Sequence, residues 1–492
     1  MLACWLAVGA ACGGSSGSQV AEGGIGGTGI SSGSVTGFGS YFVTGTEWSL
    51  AATGVVEIDG STAGYDDGDL RLGMYLRVDG ERSADGSTAA STLIRYDEAI
   101  LGAVEQPPFE MGPDRRGFTV LGQPVVVDAG ITVFVDTGFD ALAMDDVIEV
   151  SGPVGDGGIL ATRVERRGSL QLGATFVEFK GEVVNLGASQ FELGAATVSF
   201  DCGGATDCTA LPGGAPSAGQ LVEVEGLQTA DGADPAVDAL VIRTFTPFAA
   251  AVGDDADGLE VEGVIDDFAG LASFSVHGVS VDASAARLDP ADPGLFGEDV
   301  YVEVEGDRRG GVLQAHTLRL LEGRALVAAR IASRGLDRRQ RGEIVLLAEG
   351  IWPLPGSQAL VVEVGPSTRL VNESSAGDPD LKLADLLVGD FVIVRGIASG
   401  SRIRATDLRR REPDDVRLRG PVASVDRSRR DGVVGYSALG ILVELVQGTT
   451  AVPGGDVDAF LAGLAVGDLL EAVDAADGSE ETFDVADEVA AP

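Results

Sequence analysis

The chain is short of histidine, lysine, aromatics and cysteine, and each shortage removes a class of function. Only two histidines, His277 and His316, occur in 492 residues, which excludes a histidine-rich metal centre. They lie well apart in sequence, no Ser/His/Asp arrangement can be argued from spacing, and both are read as structural. Aromatic residues make up 5%. Cores must therefore come from Val, Leu, Ile and Ala, and base stacking on an aromatic platform has little support. Cations are scarce as well: Lys+Arg number 34 against 76 Asp+Glu, giving a formal charge of −42, and only two of the 34 are lysines. That charge disfavours nucleic acid and anionic membrane surfaces as partners of the whole molecule. Glycine, by contrast, is abundant at 72 residues, about twice its usual share. With 45% hydrophobic residues and only 19 prolines, the composition excludes a disordered low-complexity polymer and fits a chain of several domains.

The apolar run at residues 2–11, LACWLAVGAA, is too short to span a bilayer. It leads to Cys12 and then to GGSSGS, a flexible spacer composition. This order resembles the tail of a bacterial lipoprotein signal, in which Cys12 would become the acylated first residue of the mature protein. Gly9 stands where such signals usually carry Leu, and an ordinary cleaved signal peptide is the alternative. Either way export is expected, to the cell envelope as an outer-membrane lipoprotein, or otherwise as a secreted or periplasmic protein. In an exported chain Cys202 and Cys208, in the loop FDCGGATDCTALPGG, read as a local disulfide. Free thiols are the alternative, and a zinc site would need two more soft ligands.

Self-comparison shows a repeat. The pattern V-x-V-x-G and its variants close at Gly80, Gly152, Gly226, Gly306 and Gly396, and once more at Asp474. An Ala-led strand follows each of the first five anchors: ASTLIRY, ATRVERR, ALVIRTF, AHTLRLL and ATDLRRR. A strand pair with a tight turn precedes the anchor, as in FTVLGQPVVVD and FSVHGVSVD, and an opening strand around Gly-x-Val comes earlier still. Period-two alternation marks half-buried antiparallel strands. Segments such as DPDLKLADLLVGD and DVDAFLAGLAVGD predict a short helical turn between the third and fourth strands. The sequence therefore predicts an all-β protein of six tandem OB-like five-stranded β-barrels, strung as beads or in a curved array. Small open sandwiches sharing edges are the alternative. The boundaries read as follows: 1–12 signal segment, 13–32 Gly/Ser-rich linker, then units at 33–98, 99–167, 168–249, 250–322, 323–411 and 412–492, the last a cap.

The lead GGIGGTGISSGSVTGFGSYFV (23–43), followed by tandem V-x-V-x-G units, resembles bacterial proteins built from the domain of unknown function 5666. The likeness covers roughly residues 23–487. It implies an envelope protein with no assigned activity and no catalytic residues to carry over.

Other motifs have bland readings. GGIGGTGISSG lacks the Gly-Lys-Ser/Thr of a phosphate loop. The turns YDDGD (65–69) and GDDADG (253–258) share the composition of calcium loops but not EF-hand spacing, so solvated β-turns are expected, with weak calcium binding as the alternative. The one uneven feature is charge. Residues 324–430 hold 19 Lys+Arg and 14 Asp+Glu, a net of +5, so the rest of the chain holds 15 and 62, a net of −47. Arg338, Arg339 and Arg341, together with Arg409, Arg410 and Arg411, are candidate ligands for an anionic polymer such as surface polysaccharide. The competing reading is that this unit packs against acidic neighbours. The leading expectation is a non-enzymatic, envelope-anchored scaffold, spacer or adhesion protein without a cofactor. Its membrane contact would be a lipid anchor, and its candidate partners are a surface polysaccharide or another envelope protein.

Overall fold

Period-two alternation and Gly-centred turns produce strands of the expected kind, and unit 1 shows how they close. The computed structural model describes residues 28–38, 41–83, 88–112, 114–232, 234–321, 323, 325–336, 342–346, 360–365, 368–375, 381–399, 402–430, 433–474 and 486–491. Unit 1 contains strands Thr28–Phe38, Tyr41–Val43, Thr46–Ile58, Tyr75–Arg82 and Thr88–Tyr96. The first pairs with the second and fourth, the second with the third, and the fourth with the fifth, all antiparallel. The fifth returns parallel to the third. The order 1-2-3-5-4-1 is the closed OB-type barrel, which leaves no strand edge within the unit to seed aggregation. Unit 3 (Phe176–Val184 through Ala236–Thr244) and unit 4 (Ala256–Gly270 through Val312–Leu320) close in the same order. So does unit 5, from Ala325–Leu336 to Arg402–Arg411. The short helical turns lie between third and fourth strands, for example Leu383–Asp385 and Val457–Gly463.

The recurrent glycine has a steric cause. At Gly306 and Gly396 the fourth strand shifts register against the fifth by a bulge. A Cβ there would lie 2.1 Å from the carbonyl oxygen of Gln314 and 2.2 Å from that of Arg404. Gly80, Gly152 and Gly226 face the same clash. Asp474 is tolerated because the closing strand Glu488–Ala490 pairs only as far as Val473. A second repeated device joins the third strand's end to the fifth strand. Thr132, Thr206 and Thr368 each donate a side-chain hydrogen bond to the carbonyl of the leading Ala of strand five, Ala161, Ala239 and Ala405, at 2.7–2.8 Å.

The barrels also join one another through their opening strands. Ile30–Ser32 pairs parallel with Leu259–Val261 of unit 4. Ile100 and Leu101 of unit 2 pair with Phe179 and Glu178 of unit 3, and Leu326–Ala328 of unit 5 with Arg417–Arg419 of unit 6. The hydrophobic cores of units 2 and 3 are continuous, as are those of units 5 and 6. Because unit 1 returns to unit 4 across two intervening units, the array is curved and in contact, not beads on a string.

At the 1–4 junction, polar groups replace the apolar core. Ser34 donates from its backbone and hydroxyl to Glu262 at 3.0 and 2.7 Å, Ser31 donates to Glu260 at 3.2 Å, and Arg82 ion-pairs Glu260. Arg369 of unit 5, 4% exposed, reaches Ser34 Oγ at 3.1 Å.

Candidate functional site

The linker between units 1 and 2, Tyr96-Asp97-Glu98-Ala99, passes beside the opening strand of unit 3. That strand carries Glu178 and Lys180, and the adjacent fourth strand carries Glu223 and Glu225. Asp59 joins them from the turn after the third strand of unit 1. Its left-handed φ of 48° and its N–H bond to the Tyr96 carbonyl, 3.2 Å, fix that turn against the linker. Six acidic residues thus gather around one lysine, beside an open cleft of about 700 Å³ that also exposes Glu149, Arg167 and Phe176.

Lys180 holds the inner part of the cluster. Its Nζ lies 3.1 Å from Asp97 Oδ1, 3.3 Å from Glu223 Oε1 and 3.6 Å from Glu178 Oε1, and it donates to the Glu98 carbonyl. Burial opposes its charge, but Asp97, Glu223, Glu178 and Glu98 outweigh burial and raise its pKa, so it stays protonated. Burial raises Glu178, and the neighbouring Glu223 raises it further. Glu223 is lowered in spite of its own burial, by the hydrogen bond from Glu178 and by Lys180 and Arg243. The two carboxylates titrate as one coupled pair. Arg243 completes the inner set at 2.7 Å from Glu223 and 2.6 Å from Glu225. The outer part is different. Asp59, Asp97 and Glu98 bring carboxylate oxygens within 4.8 Å of one another, and burial pushes Asp97 up to about 6 and Glu98 to about 7. Such a junction can exchange a proton or hold a hard cation through Asp59, Asp97 and Glu98. A second group, Asp97, Glu178 and Glu223, is already bridged by Lys180.

The residues singled out from sequence lie elsewhere. Cys202 and Cys208 form a disulfide across the loop that carries Thr206. Cys12, Arg338, Arg339 and Arg341 lie outside the described residues. Arg409 is 4% exposed, with its guanidinium 2.8 Å from Asp407, 2.6 Å from Glu373 and 3.0 Å from the Thr132 carbonyl of unit 2. Arg410 meets Asn372 and Asp390, and Arg411 meets Glu373. These three side chains thus bind the protein's own acids. Arg395 and Arg419 do the same for Asp114 of unit 2, and Arg404 for Asp289 of unit 4. In YDDGD, Asp66 and Asp69 accept from the turn's own N–H groups. In GDDADG, Asp255 accepts from Gly310 and Asp257 pairs with Arg309. His277 is half-buried between Tyr75 and Phe248, and desolvation lowers its pKa to about 4. His316 is exposed on the last strand of unit 4.

Sequence reasoning missed the junction because its acids come from four separate segments, none rich enough to stand out. One signal was available: Lys180 is one of two lysines in the chain and sits on an opening strand between two glutamates. No curated protein matches the chain. A family model matches part of it: the domain of unknown function (DUF5666) is matched three times in tandem, at residues 32–93, 110–165 and 180–238, within units 1, 2 and 3.

Proposed function

We propose that the protein is a non-enzymatic scaffold of the cell envelope, anchored through an acylated Cys12 and presenting its barrels as one curved body. The observation that carries this reading is the use made of buried charge. Arg369 and Arg409 of unit 5 reach into units 1 and 2 by hydrogen bonds to Ser34, Gly130 and Thr132. Buried guanidinium groups so placed fix geometry between modules, because displacing them leaves charge uncompensated. The acylation reading draws on the apolar run, Cys12 and the Gly/Ser spacer. No helix among the described residues is long and apolar enough to cross a membrane.

The test is intact mass and membrane fractionation of the protein from its native host, with and without Cys12→Ala. Acylated mass on a chain beginning at Cys12, with release from the membrane in the variant, is the expected result. A soluble, unacylated wild-type chain would remove the anchor from the reading.

A further inference from the structure

The junction between units 1 and 3 contains an acidic corner in which Lys180 pairs with Asp97 alone. Lys180 ion-pairs Asp97, Glu178 and Glu223, and Arg243 pairs Glu178, Glu223 and Glu225. No Lys or Arg among the described residues forms an ion pair with Asp59 or with the carboxylate of Glu98. Glu98 is only 5% exposed, and its Oε2 is fully buried without a hydrogen-bond partner. A buried, unpartnered carboxylate oxygen is costly unless something positive meets it. Carboxylate oxygens of Asp59, Asp97 and Glu98 lie within 4.8 Å of one another, the three passing from exposed Asp59 through half-buried Asp97 to buried Glu98. That gradient runs from the solvent-facing cleft inward, so an ion can enter from solvent and lose water step by step.

We propose that Asp59, Asp97 and Glu98 form a divalent cation site of the calcium type, clamping unit 1 and the linker beside unit 3. The donor set decides the metal class. All three ligands are carboxylate oxygens, which excludes the soft and borderline metals that favour thiolate or imidazole. Their spread over a turn and a linker suits the flexible six-to-eight-oxygen shell of Ca²⁺ better than the near-ideal octahedron that Mg²⁺ demands. Water from the cleft supplies the remaining ligands. Lys180 is a positioning residue: it grips Asp97 Oδ1 and the Glu98 carbonyl, holding both acids at the corner without neutralising Asp59. With three carboxylates and a water-filled remainder, the affinity belongs in the range of extracellular calcium modules, about 10⁻⁴–10⁻³ M. The consequence is a linker held more firmly against the turn of unit 1 when calcium is present.

The experiment is calorimetric titration of the full chain with CaCl₂ at fixed ionic strength, paired with thermal unfolding in its presence and absence. Wild type should bind one ion above the diffuse background of its acidic surface and melt at a higher temperature with Ca²⁺. Glu98→Gln keeps the shape of the side chain and should lose at least about tenfold in affinity. Asp59→Asn, on the exposed turn, serves as the second variant where folding is a concern and should weaken binding as strongly. Asp67→Asn, in the YDDGD turn, should leave binding unchanged. Absence of a discrete site in wild type overturns the proposal. So does calcium stabilisation that survives both Glu98→Gln and Asp59→Asn, which would assign the effect to general screening of the net charge. Equal stabilisation by Mg²⁺ would overturn the assignment to calcium.

Discussion

At the scale of single residues, the anchor glycines are the clearest link between sequence and structure. Their recurrence was legible, but not its cause, because a bulge is defined by the partner strand and not by the strand that carries the glycine. Gly306→Ala places a methyl group where the Gln314 carbonyl already sits at 2.1 Å. Strand five must move away, and the loss should be about 2–3 kcal/mol in the stability of unit 4. Asp474→Gly in unit 6, where no described fifth-strand carbonyl faces the anchor, should be within about 0.5 kcal/mol of wild type. Denaturant unfolding followed by unit-resolved hydrogen exchange distinguishes the two. A second residue-scale prediction concerns His277. Its folded pKa of about 4 lies below the unfolded value, about 6.5, so the unfolded chain takes up the proton first. Stability is therefore full above pH 6.5 and is lost as pH falls toward 4. Between pH 7 and pH 5 the drop should be about 2 kcal/mol. His277→Asn suits the left-handed φ of 49° at that position and carries no titratable group, so it should remove this part of the acid sensitivity. The same pH dependence in wild type and His277→Asn between those pH values would sink the assignment.

At the scale of elements, strand order was legible because inward valines and outward polar residues alternate, as in VEVEG with Val302 and Val304 fully buried. What alternation conceals is that an outward face can be buried by another barrel. Ser31, Ser32, Glu260 and Glu262 have the polar character of solvent-facing positions, yet each is at most 5% exposed because opening strands pair between units. The threonine latch was hidden for a related reason. Thr132, Thr206 and Thr368 sit in loops of unlike sequence, and only their shared bond to strand five makes them equivalent. In unit 3 the Cys202–Cys208 disulfide encloses that latch. Replacing both cysteines with serine frees the loop in the unfolded chain and should cost unit 3 about 2 kcal/mol by the loop-entropy relation for so short a ring. The loss should be confined to unit 3, and dithiothreitol should reproduce it in wild type. Equal stability of the double variant would mean that the Thr206 bonds alone hold the loop.

At the scale of the whole molecule, the arginine-rich stretch was visible as a patch of net positive charge, while its destination was not, since composition cannot tell a solvated face from an internal tie. The structure directs it inward: unit 5 meets unit 1 through Arg369, unit 2 through Arg395 and Arg409, and unit 4 through Arg404. Unit 5 therefore acts as the keystone of the curved array, and its removal from the junction should change the shape of the molecule before it unfolds any barrel. Arg369→Ala combined with Arg409→Ala leaves Glu262, Asp407 and Glu373 with less positive charge around them. Across the junction the two guanidinium groups donate to Ser34, Gly130 and Thr132, and a hydrogen bond from a charged group is worth about 1.5–3 kcal/mol. Small-angle scattering reads the outcome. A chain of 492 residues packed as one body should have a radius of gyration near 23 Å, or about 2.2·N^0.38. The double variant should expand well beyond that while its far-ultraviolet dichroism stays that of intact β-barrels. Arg411→Ala, whose side chain is 44% exposed beside Glu373, should leave the radius unchanged. Compact scattering from the double variant would show that strand pairing between units is sufficient, and that the buried arginines merely fill the junction they occupy.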